Sequence, residues 1–190
     1  MRYSQCPACG AKVHFRASST LLMVCEYCQS TLLRNDVDLE NLGKMAELLP
    51  DSSLLQIGSS GHFQGDGFVL IGRIQFEHES GVWNSWHLLF DTGKTGWLSE
   101  ASGSYALSFA VSAGAPDMPL ERYVPELSVP IHGQRMTVIR VEQATCIAGQ
   151  GELAGAVPAG KTLQFVEFAA SHGNPTQSYA SLEFDGDKPT

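Results

Sequence analysis

The stretch from Trp83 to Leu98, WNSWHLLFDTGKTGWL, decides the fold of this chain. It contains all three tryptophans of the sequence and alternates apolar with polar residues on both sides of a turn. Trp86, Leu88 and Phe90 occupy every second position, as side chains on one face of a β-strand do. The DTGK segment that follows is typical of a hairpin turn. We therefore predict a β-hairpin whose inner wall is Trp86, Leu88, Phe90 and Trp97.

The alternation continues on both sides of this hairpin. Phe68 to Phe76 alternates before it and ends at the polar turn HESG, and Tyr105 to Val111 alternates after a turn at Ser102-Gly103. Consecutive strands joined by short turns form a meander, so the sequence predicts a mainly β fold with an antiparallel sheet or small barrel. Other strands are predicted at residues 54–57, 127–131, 135–147, 162–170 and 179–184.

The second part of this β body repeats features of the first. A short strand, a glycine turn and a long strand follow one another at 54–76 and again at 127–147. Leu88–Lys94 and Leu182–Lys188 also share an order of apolar residues, aspartate, glycine and lysine. The first of these turns leads into a return strand, whereas after the second the sequence soon reaches Thr190. We therefore expect two related halves, and either a truncated chain or a final strand that is missing or borrowed.

Two C-x-x-C pairs near the N-terminus carry the clearest chemistry. Fifteen residues separate the pairs, which is within the range typical of zinc knuckles. Each two-residue gap lets two thiolates point to one side, and two facing pairs complete a tetrahedral sulfur shell that favours zinc. The predicted ligands are Cys6, Cys9, Cys25 and Cys28. A closed shell has no open position for water, so we predict one structural zinc ion.

These pairs lie in a predicted zinc ribbon of residues 1–35, after which the pattern changes. From Asn35 to Pro50 apolar residues recur at helical spacing, with acidic residues at the start and proline at the end. We therefore predict a short connecting helix over 36–50 that packs its apolar side on the body. The β domain then covers 51–190, with related halves at 51–115 and 116–190.

Charge is distributed unevenly along the chain. Residues 1–35 carry four basic side chains and one acidic one, a net +3. Because the whole chain carries −8, the remainder must carry −11, which is −8 minus +3. An acidic body repels a phosphate backbone, so nucleic-acid binding by the body is disfavoured. The sequence has no apolar run long enough to span a membrane and no secretory signal, so we expect a cytoplasmic protein.

No catalytic arrangement stands out in the sequence. The six histidines are scattered and form no triad or metal-ligand spacing, so we predict that the protein is not an enzyme. His87 is expected on the exposed face opposite Trp86, and Cys146 is expected as a buried, inert thiol in an apolar strand. Trp83, beside the HESG turn, is expected to be exposed. Together with Asp91 in the hairpin turn, it is the predicted contact with a ligand or partner.

Several segments together resemble a known family. The CPACG and CEYC pairs, IGSSGHFQGDGFVLIGRIQF (57–76) and WNSWHLLFDTGKTGWLSEASGSYAL (83–107) resemble the bacterial zinc-ribbon proteins of the domain of unknown function 4178 family. GELAG (151–155) and SYASLEF (178–184) fit the later part of the same pattern. The resemblance implies no established activity. Members tend to be encoded near small membrane proteins and polyamine-synthesis enzymes, which implies a membrane-associated or stress-related complex.

Two functions from different classes remain open at this point. The first is a non-enzymatic interaction module in which the ribbon and the β body bind a protein partner in an assembly. The second is a binder of a small cationic ligand or a single-stranded nucleic acid, which would use aromatic side chains of the β body and the basic ribbon.

Overall fold

A computed structural model of the chain describes residues 3–35, 38–111, 114, 116–153, 159–170, 179–186 and 188–189. These residues form fifteen β-strands and one short 3₁₀ helix, Leu120–Arg122. All the strand pairs within them are antiparallel. The prediction of a mainly β, antiparallel fold is therefore confirmed. Within the described residues, no helix has the length and apolar character needed to cross a membrane.

The chain divides into two compact units. The first comprises Met1–Phe109 and Cys146–Lys161, and the second comprises Ala110–Thr145 and Thr162–Thr190. One long strand, β12 (Gln134–Leu153), contributes residues to both units. Because a segment from late in the chain completes the first unit, the units are not simply consecutive in sequence.

The first unit contains a meander of five strands. They are β6 (Ser60–Phe63), β7 (Asp66–His78), β8 (Gly81–Phe90), β9 (Thr95–Ala101) and β10 (Ser104–Ser108). Each pairs with the next along the chain. The predicted central hairpin is β8 and β9, with its turn at Asp91–Lys94. Among the described strands β10 pairs only with β9, so this meander ends at an open edge and is not a closed barrel.

The inner face of this meander carries the apolar core of the first unit. Trp86, Leu88 and Phe90 are buried as predicted, and Leu70 of β7 packs with them. Trp97 does not join them, because the register of the hairpin places it opposite His87 on the other face. Leu98 packs on the core cluster instead. The sequence prediction was wrong by one residue here, and in a strand a one-residue shift reverses the face.

The N-terminal part of the first unit is a ribbon of short strands. They are β1 (Tyr3–Gln5), β2 (Lys12–His14), β3 (Leu22–Val24), β4 (Ser30–Arg34) and β5 (Leu39–Lys44). β1 pairs with β2, β3 with β4, and β4 with β5. The C-terminal part of β12 pairs with β3 through Gly151–Leu153 and with β7 through Cys146–Gly151. β12 therefore joins the ribbon to the meander.

The predicted connecting helix over 36–50 is wrong over residues 38–50; residues 36 and 37 lie outside the described part of the chain. Residues 39–44 form strand β5, and residues 45–56 have no regular secondary structure. Pairing with β4 supplies the backbone hydrogen bonds of β5, and Gly43 has a φ of 107°, which interrupts a helix. The apolar stripe is not buried as a unit either: Met45 is buried, whereas Leu42 and Leu49 are exposed. Tertiary pairing here outweighs helical periodicity. The strand predicted at 54–57 is also absent.

The second unit contains a meander with the same order of neighbours. Its strands are β11 (Ser128–Ile131), the first part of β12, β13 (Thr162–Ala170), β14 (Tyr179–Asp185) and β15 (Lys188–Pro189). Each pairs with the next. Its core consists of residues from these strands and from the loop before them, and includes Tyr123, Val138, Val166, Phe168 and Phe184. β15 supplies a short return strand after β14, where a missing or borrowed strand was expected.

The correspondence between the two meanders extends to single hydrogen bonds. Gln64-Gly65 and His132-Gly133 are two-residue turns with positive φ at both positions. The N–H of Gly58 donates to the carbonyl of Leu70, and the N–H of Glu126 donates to that of Val138, both at 2.9 Å. Each residue of the first meander in these pairs and its counterpart in the second are 68 positions apart in sequence. A bulge follows directly in each long strand, after Leu70 and after Val138.

The structural counterpart of β8 is therefore β13, and that of β9 is β14. The sequence similarity between Leu88–Lys94 and Leu182–Lys188 relates the end of β8 to the end of β14. It therefore matches β8 with the strand after its structural counterpart. The matching bulges and turns are the firmer sign of repetition, because each imposes specific backbone angles that few sequences adopt.

Candidate metal centre

Two turns of the same geometry carry the four N-terminal cysteines. In the first turn the N–H of Cys6 donates to the carbonyl of Ala11, and the carbonyl of Cys6 accepts from the N–H of Gly10. In the second turn the N–H of Cys25 donates to the carbonyl of Ser30, and the carbonyl of Cys25 accepts from the N–H of Gln29. These four hydrogen bonds measure 2.8–2.9 Å. Gly10 and Gln29 hold the same place in each turn and have φ values of 75° and 58°. The left-handed backbone at this position folds the chain back, so that both cysteines of each pair point to one side.

The four thiols converge on one point. The Sγ atoms of Cys6 and Cys28 are 3.7 Å apart, and those of Cys9 and Cys25 are 3.8 Å apart. All four Sγ atoms lie within 4.8 Å of one another. A disulfide would need sulfurs about 2.05 Å apart, and no such bond is present among these free cysteines. The structure therefore brings together the four predicted ligands in a group that could hold a metal ion.

The surroundings of the thiols shift their pKa values in opposite directions: that of Cys28 is lowered, whereas those of Cys9 and Cys25 are raised. The Ser30 hydroxyl, and then its backbone N–H, lower the pKa of Cys28 to about 6. Burial raises the pKa of the Cys25 thiol, which makes an unliganded thiolate there costly. Beneath the cluster, Val13, Met23 and Leu32 form a small apolar core. A bound cation would favour the thiolate form of all four cysteines.

A buried carboxylate fastens the loop between the two cysteine turns. Glu152 of β12 is only 3% exposed. Its two oxygens accept hydrogen bonds from the backbone N–H groups of Arg16 and Ala17, at 2.6 and 3.0 Å. The ribbon is thus held to the meander by strand pairing and by this carboxylate. No sequence pattern singled out Glu152, because glutamate in a strand is normally exposed and its partners lie more than a hundred positions away.

His87 is buried, contrary to the prediction that it would be exposed. It does face away from Trp86, but β12 passes over that side of β8. The His87 Nδ1 donates to the carbonyl of Glu152 at 3.0 Å, and its ring stacks on Trp97 at 4.9 Å. Burial lowers the pKa of His87, so the imidazole is neutral at neutral pH. Its role is to support the crossing of β12, with Nε2 left buried and without a hydrogen bond.

A second polar cluster lies on the meander of the first unit. Arg73 donates to Asn84 and pairs with Asp51, and its guanidinium lies 4.7 Å from the centre of the Trp86 ring. Glu100 accepts hydrogen bonds from Trp86 Nε1 and from other side chains, among them Ser53, Asn84 and Tyr105. Gln75 binds both the N–H and the carbonyl of Leu49. We call this set the polar clamp, because it holds the irregular segment 49–53 on the sheet.

The two predicted contact residues belong to the meander: Trp83 is in β8 and Asp91 is in the turn after it. Trp83 was expected to be exposed but is half-buried, because its ring stacks on Phe76 with ring centres 5.3 Å apart. Asp91 is exposed in the β8–β9 turn, and its N–H donates to the carbonyl of Gly67. Of the other tryptophans, Trp86 is fully buried and Trp97 is half-buried.

Comparison with known proteins identifies a family but no described function. A family model with the description "Domain of unknown function (DUF4178)" matches residues 56–190. Comparison with curated proteins gave no match. Comparison with solved structures also gave no match.

Proposed function

We propose a function for this chain from the premise that it belongs to the DUF4178 family, whose domain it contains over residues 56–190. It acts as a non-enzymatic interaction module, and a structural zinc ion holds its N-terminal ribbon. The observation that carries this proposal is the closed group of four thiols, Cys6, Cys9, Cys25 and Cys28, fastened to the sheet through β3 and Glu152.

Zinc is the metal that this donor set fits. Zinc–thiolate bonds are about 2.3 Å long, and a regular tetrahedron with such bonds has sulfurs about 3.8 Å apart. The 3.7 and 3.8 Å separations in the cluster agree with that spacing. Four sulfurs complete the shell, so the ion would stabilise the ribbon and would not activate water. Four free thiols also suit a reducing compartment, which supports the cytoplasm as the location.

A protein partner is supported by what the ribbon exposes. Tyr27 lies at the tip of the second cysteine turn and is 75% exposed, and Tyr3 on β1 is 67% exposed. Tyrosine is enriched at protein interfaces because it buries a large ring at low entropic cost. Two such rings on a ribbon held rigid by a metal ion form a preorganised contact surface. Trp83 and Asp91 remain predicted contacts on the meander.

The metal assignment is tested on the purified full chain. We expect one equivalent of zinc by elemental analysis, and we expect the cobalt-substituted protein to show the absorption of tetrahedral thiolate coordination. Cys25→Ser should lower the zinc content and unfold the ribbon, whereas Cys146→Ser should leave the zinc content unchanged. A protein that folds fully with under half an equivalent of zinc would remove the structural role.

The interaction role is tested by crosslinking in the native cell. A photoreactive amino acid at Tyr27 should crosslink to a defined protein, and the crosslink should disappear in the Cys25→Ser background. Tyr179 of β14 is equally exposed, at 76%, and serves as the control position in the second unit. Equal labelling from both positions would show non-specific contact and would contradict the proposal.

A further inference from the structure

A cleft of about 270 Å³ lies beside the second cysteine turn. Three stretches of the first unit line it: the turn itself, the segment after β5, and the part of β12 that pairs with β7. Its lining residues are Val24, Cys25, Glu26, Gln29, Ala46, Glu47, Leu48, Gly149 and Gln150. The cleft is therefore assembled only when the ribbon is folded against β12.

Gly149, one of the lining residues, is closely packed against its neighbours. A Cβ at Gly149 would come within 3.3 Å of the side-chain ends of Leu153 and Met45 and within 3.4 Å of the Arg73 carbonyl. Met45 is buried, and its N–H donates to the carbonyl of Gln29 at 2.8 Å. This hydrogen bond ties the segment after β5 to the cysteine turn, and both line the cleft.

The chemistry of the cleft is apolar walls with an acidic rim. Val24, Ala46 and Leu48 supply aliphatic surface, and the carboxylates of Glu26 and Glu47 are exposed. Among the described residues that line the cleft, none is basic. The volume lies below the range of about 300–1,000 Å³ that is usual for sites of whole small molecules. An occupant with an aliphatic stem and one positive end matches both the walls and the rim.

We infer that this cleft receives a lysine or arginine side chain of a partner protein. The inference rests on the proposed function and specifies the partner chemistry of that interaction module. The methylene stem packs on Val24 and Leu48, and the cationic head lies between the carboxylates of Glu26 and Glu47. The whole chain carries a net charge of −8, which favours a basic partner segment at long range. Because Cys25 forms part of the wall, loss of the metal dismantles the cleft.

The test is a titration of the zinc-loaded full chain, followed by amide shifts in two-dimensional NMR. The probe is a capped alanine pentapeptide with one central lysine, and the matched probe carries norleucine in place of lysine. We expect shifts centred on the amides of Gln29, Glu47, Gly149 and Gln150 with the lysine peptide only. The double variant E26Q/E47Q should weaken this binding on the order of tenfold, because two ion pairs are lost. Glu40→Gln on β5 changes the same charge type outside the cleft and should have no effect.

Each result supports or overturns the inference. It is overturned if norleucine binds as well as lysine, if the shifts lie elsewhere, or if E26Q/E47Q binds like the unaltered chain. Tighter binding of free putrescine than of the peptide would identify a small-cation site and would also overturn it. Binding of peptide to chelated, metal-free protein would contradict the metal-held ribbon while leaving the docking cleft in place. A zinc-loaded protein that ignores the peptide would remove the cleft and leave the metal proposal intact.

Discussion

Individual residues set the junction where β12 crosses the first unit. Gly72 of β7 pairs with Gly151 of β12, and a Cβ at Gly72 would lie 1.7 Å from the carbonyl oxygen of Glu152. The same carbonyl accepts the hydrogen bond of His87. One residue beyond the paired glycines, the Glu152 side chain binds the ribbon loop. The absence of a side chain at Gly72 thus allows the contact that holds the ribbon in place.

Gly72→Ala should therefore be strongly destabilising. The added methyl would meet backbone atoms, which cannot move aside as a flexible side chain can. We expect a loss of about 3 kcal/mol in the free energy of unfolding, at the upper end for overpacked sites. Gly149→Ala is the control, since its closest neighbours are side-chain ends at 3.3 Å. Urea unfolding of both variants measures the difference, and equal midpoints would show that β12 does not pass this close to β7.

Glu152→Gln tests the carboxylate that binds the loop. An amide side chain can accept from only one of the two N–H groups of Arg16 and Ala17 and sets an N–H donor against the other. A lost charged hydrogen bond and an unsatisfied buried donor should together cost about 2 kcal/mol. Amide exchange at Arg16 and Ala17 should accelerate, while that of the meander strands stays slow. Glu77→Gln, an exposed position on β7, should leave exchange at both amides unchanged. Unchanged exchange in the Glu152 variant would mean that strand pairing alone holds the ribbon.

At the scale of elements, the segment between β5 and β6 shows how an irregular stretch is held in place. Residues 45–56 belong to no strand or helix, so their backbone N–H and carbonyl groups need hydrogen-bond partners outside regular secondary structure. The polar clamp supplies them: Gln75 satisfies both backbone groups of Leu49, and Arg73 and Asn84 bind Asp51. In the second meander, apolar Val141, Val166 and Phe184 stand where the first has Arg73, Trp86 and Glu100. In the described part of the second meander, the positions of Arg73 and Glu100 therefore carry no charge.

The polar clamp should make the first unit sensitive to acid. Burial alone would raise the pKa of Asp51, but hydrogen bonds from Asn84 and Ser53 and the charge of Arg73 lower it overall. Burial also raises the pKa of Glu100, but hydrogen bonds from the side chains around it outweigh this effect and lower the pKa overall. The donors are Ser53, Trp86, Tyr105 and Asn84. Carboxylates with lowered folded-state pKa values stabilise the fold above their unfolded values, roughly 4, and lose that stabilisation as pH falls through the folded values.

We therefore expect the urea midpoint of the first unit to fall as the pH is lowered from about 5 to 3, and to fall less in D51N/E100Q. Tryptophan fluorescence is the measurement, since Trp83, Trp86 and Trp97 all lie in the first unit. The comparison uses the slope with pH, so a general loss of stability in the variant does not affect it. Equal slopes would show that other carboxylates control the acid response.

Whether an element could be predicted from the sequence depended largely on how far apart its contacting residues lie along the chain. The β8–β9 hairpin and the two cysteine turns were predictable because each depends on residues a few positions apart. The false helix at 36–50 arose because apolar residues at helical spacing were weighed above a strand pairing that is also local. The paired residues of β4 and β5 are only 5 to 14 positions apart. The burial of His87 and the role of Glu152 depend on the end of β12, where Glu152 lies 65 positions after His87. Contacts of that separation leave no trace in strand alternation.

At the scale of the whole molecule, the chain uses one meander twice and modifies the first. The two copies share a tight turn, a bulge six residues into the long strand and the same order of partners. Among the described residues, the cysteine ribbon and the polar clamp both belong to the first unit. β12 starts as the long strand of the second copy and ends as the strand that pairs with β7 and β3. The bulge in each copy re-aims a long strand that would otherwise continue straight.

Because the meander is repeated, the same glycine-to-alanine substitution in corresponding turns should lower the stability of each unit by a similar amount. Gly65 and Gly133 have φ values of 86° and 75°, and a Cβ at either would meet nothing within 4 Å. The only penalty for alanine is therefore the left-handed backbone, about 1–2 kcal/mol at each site. Amide exchange at Leu70 should report the loss in Gly65→Ala, and exchange at Val138 should report it in Gly133→Ala. The two losses should agree within about 0.5 kcal/mol, the usual tolerance for independent sites. A loss of stability in one variant without a similar loss in the other would show that the two turns do not play the same structural role in the two meanders.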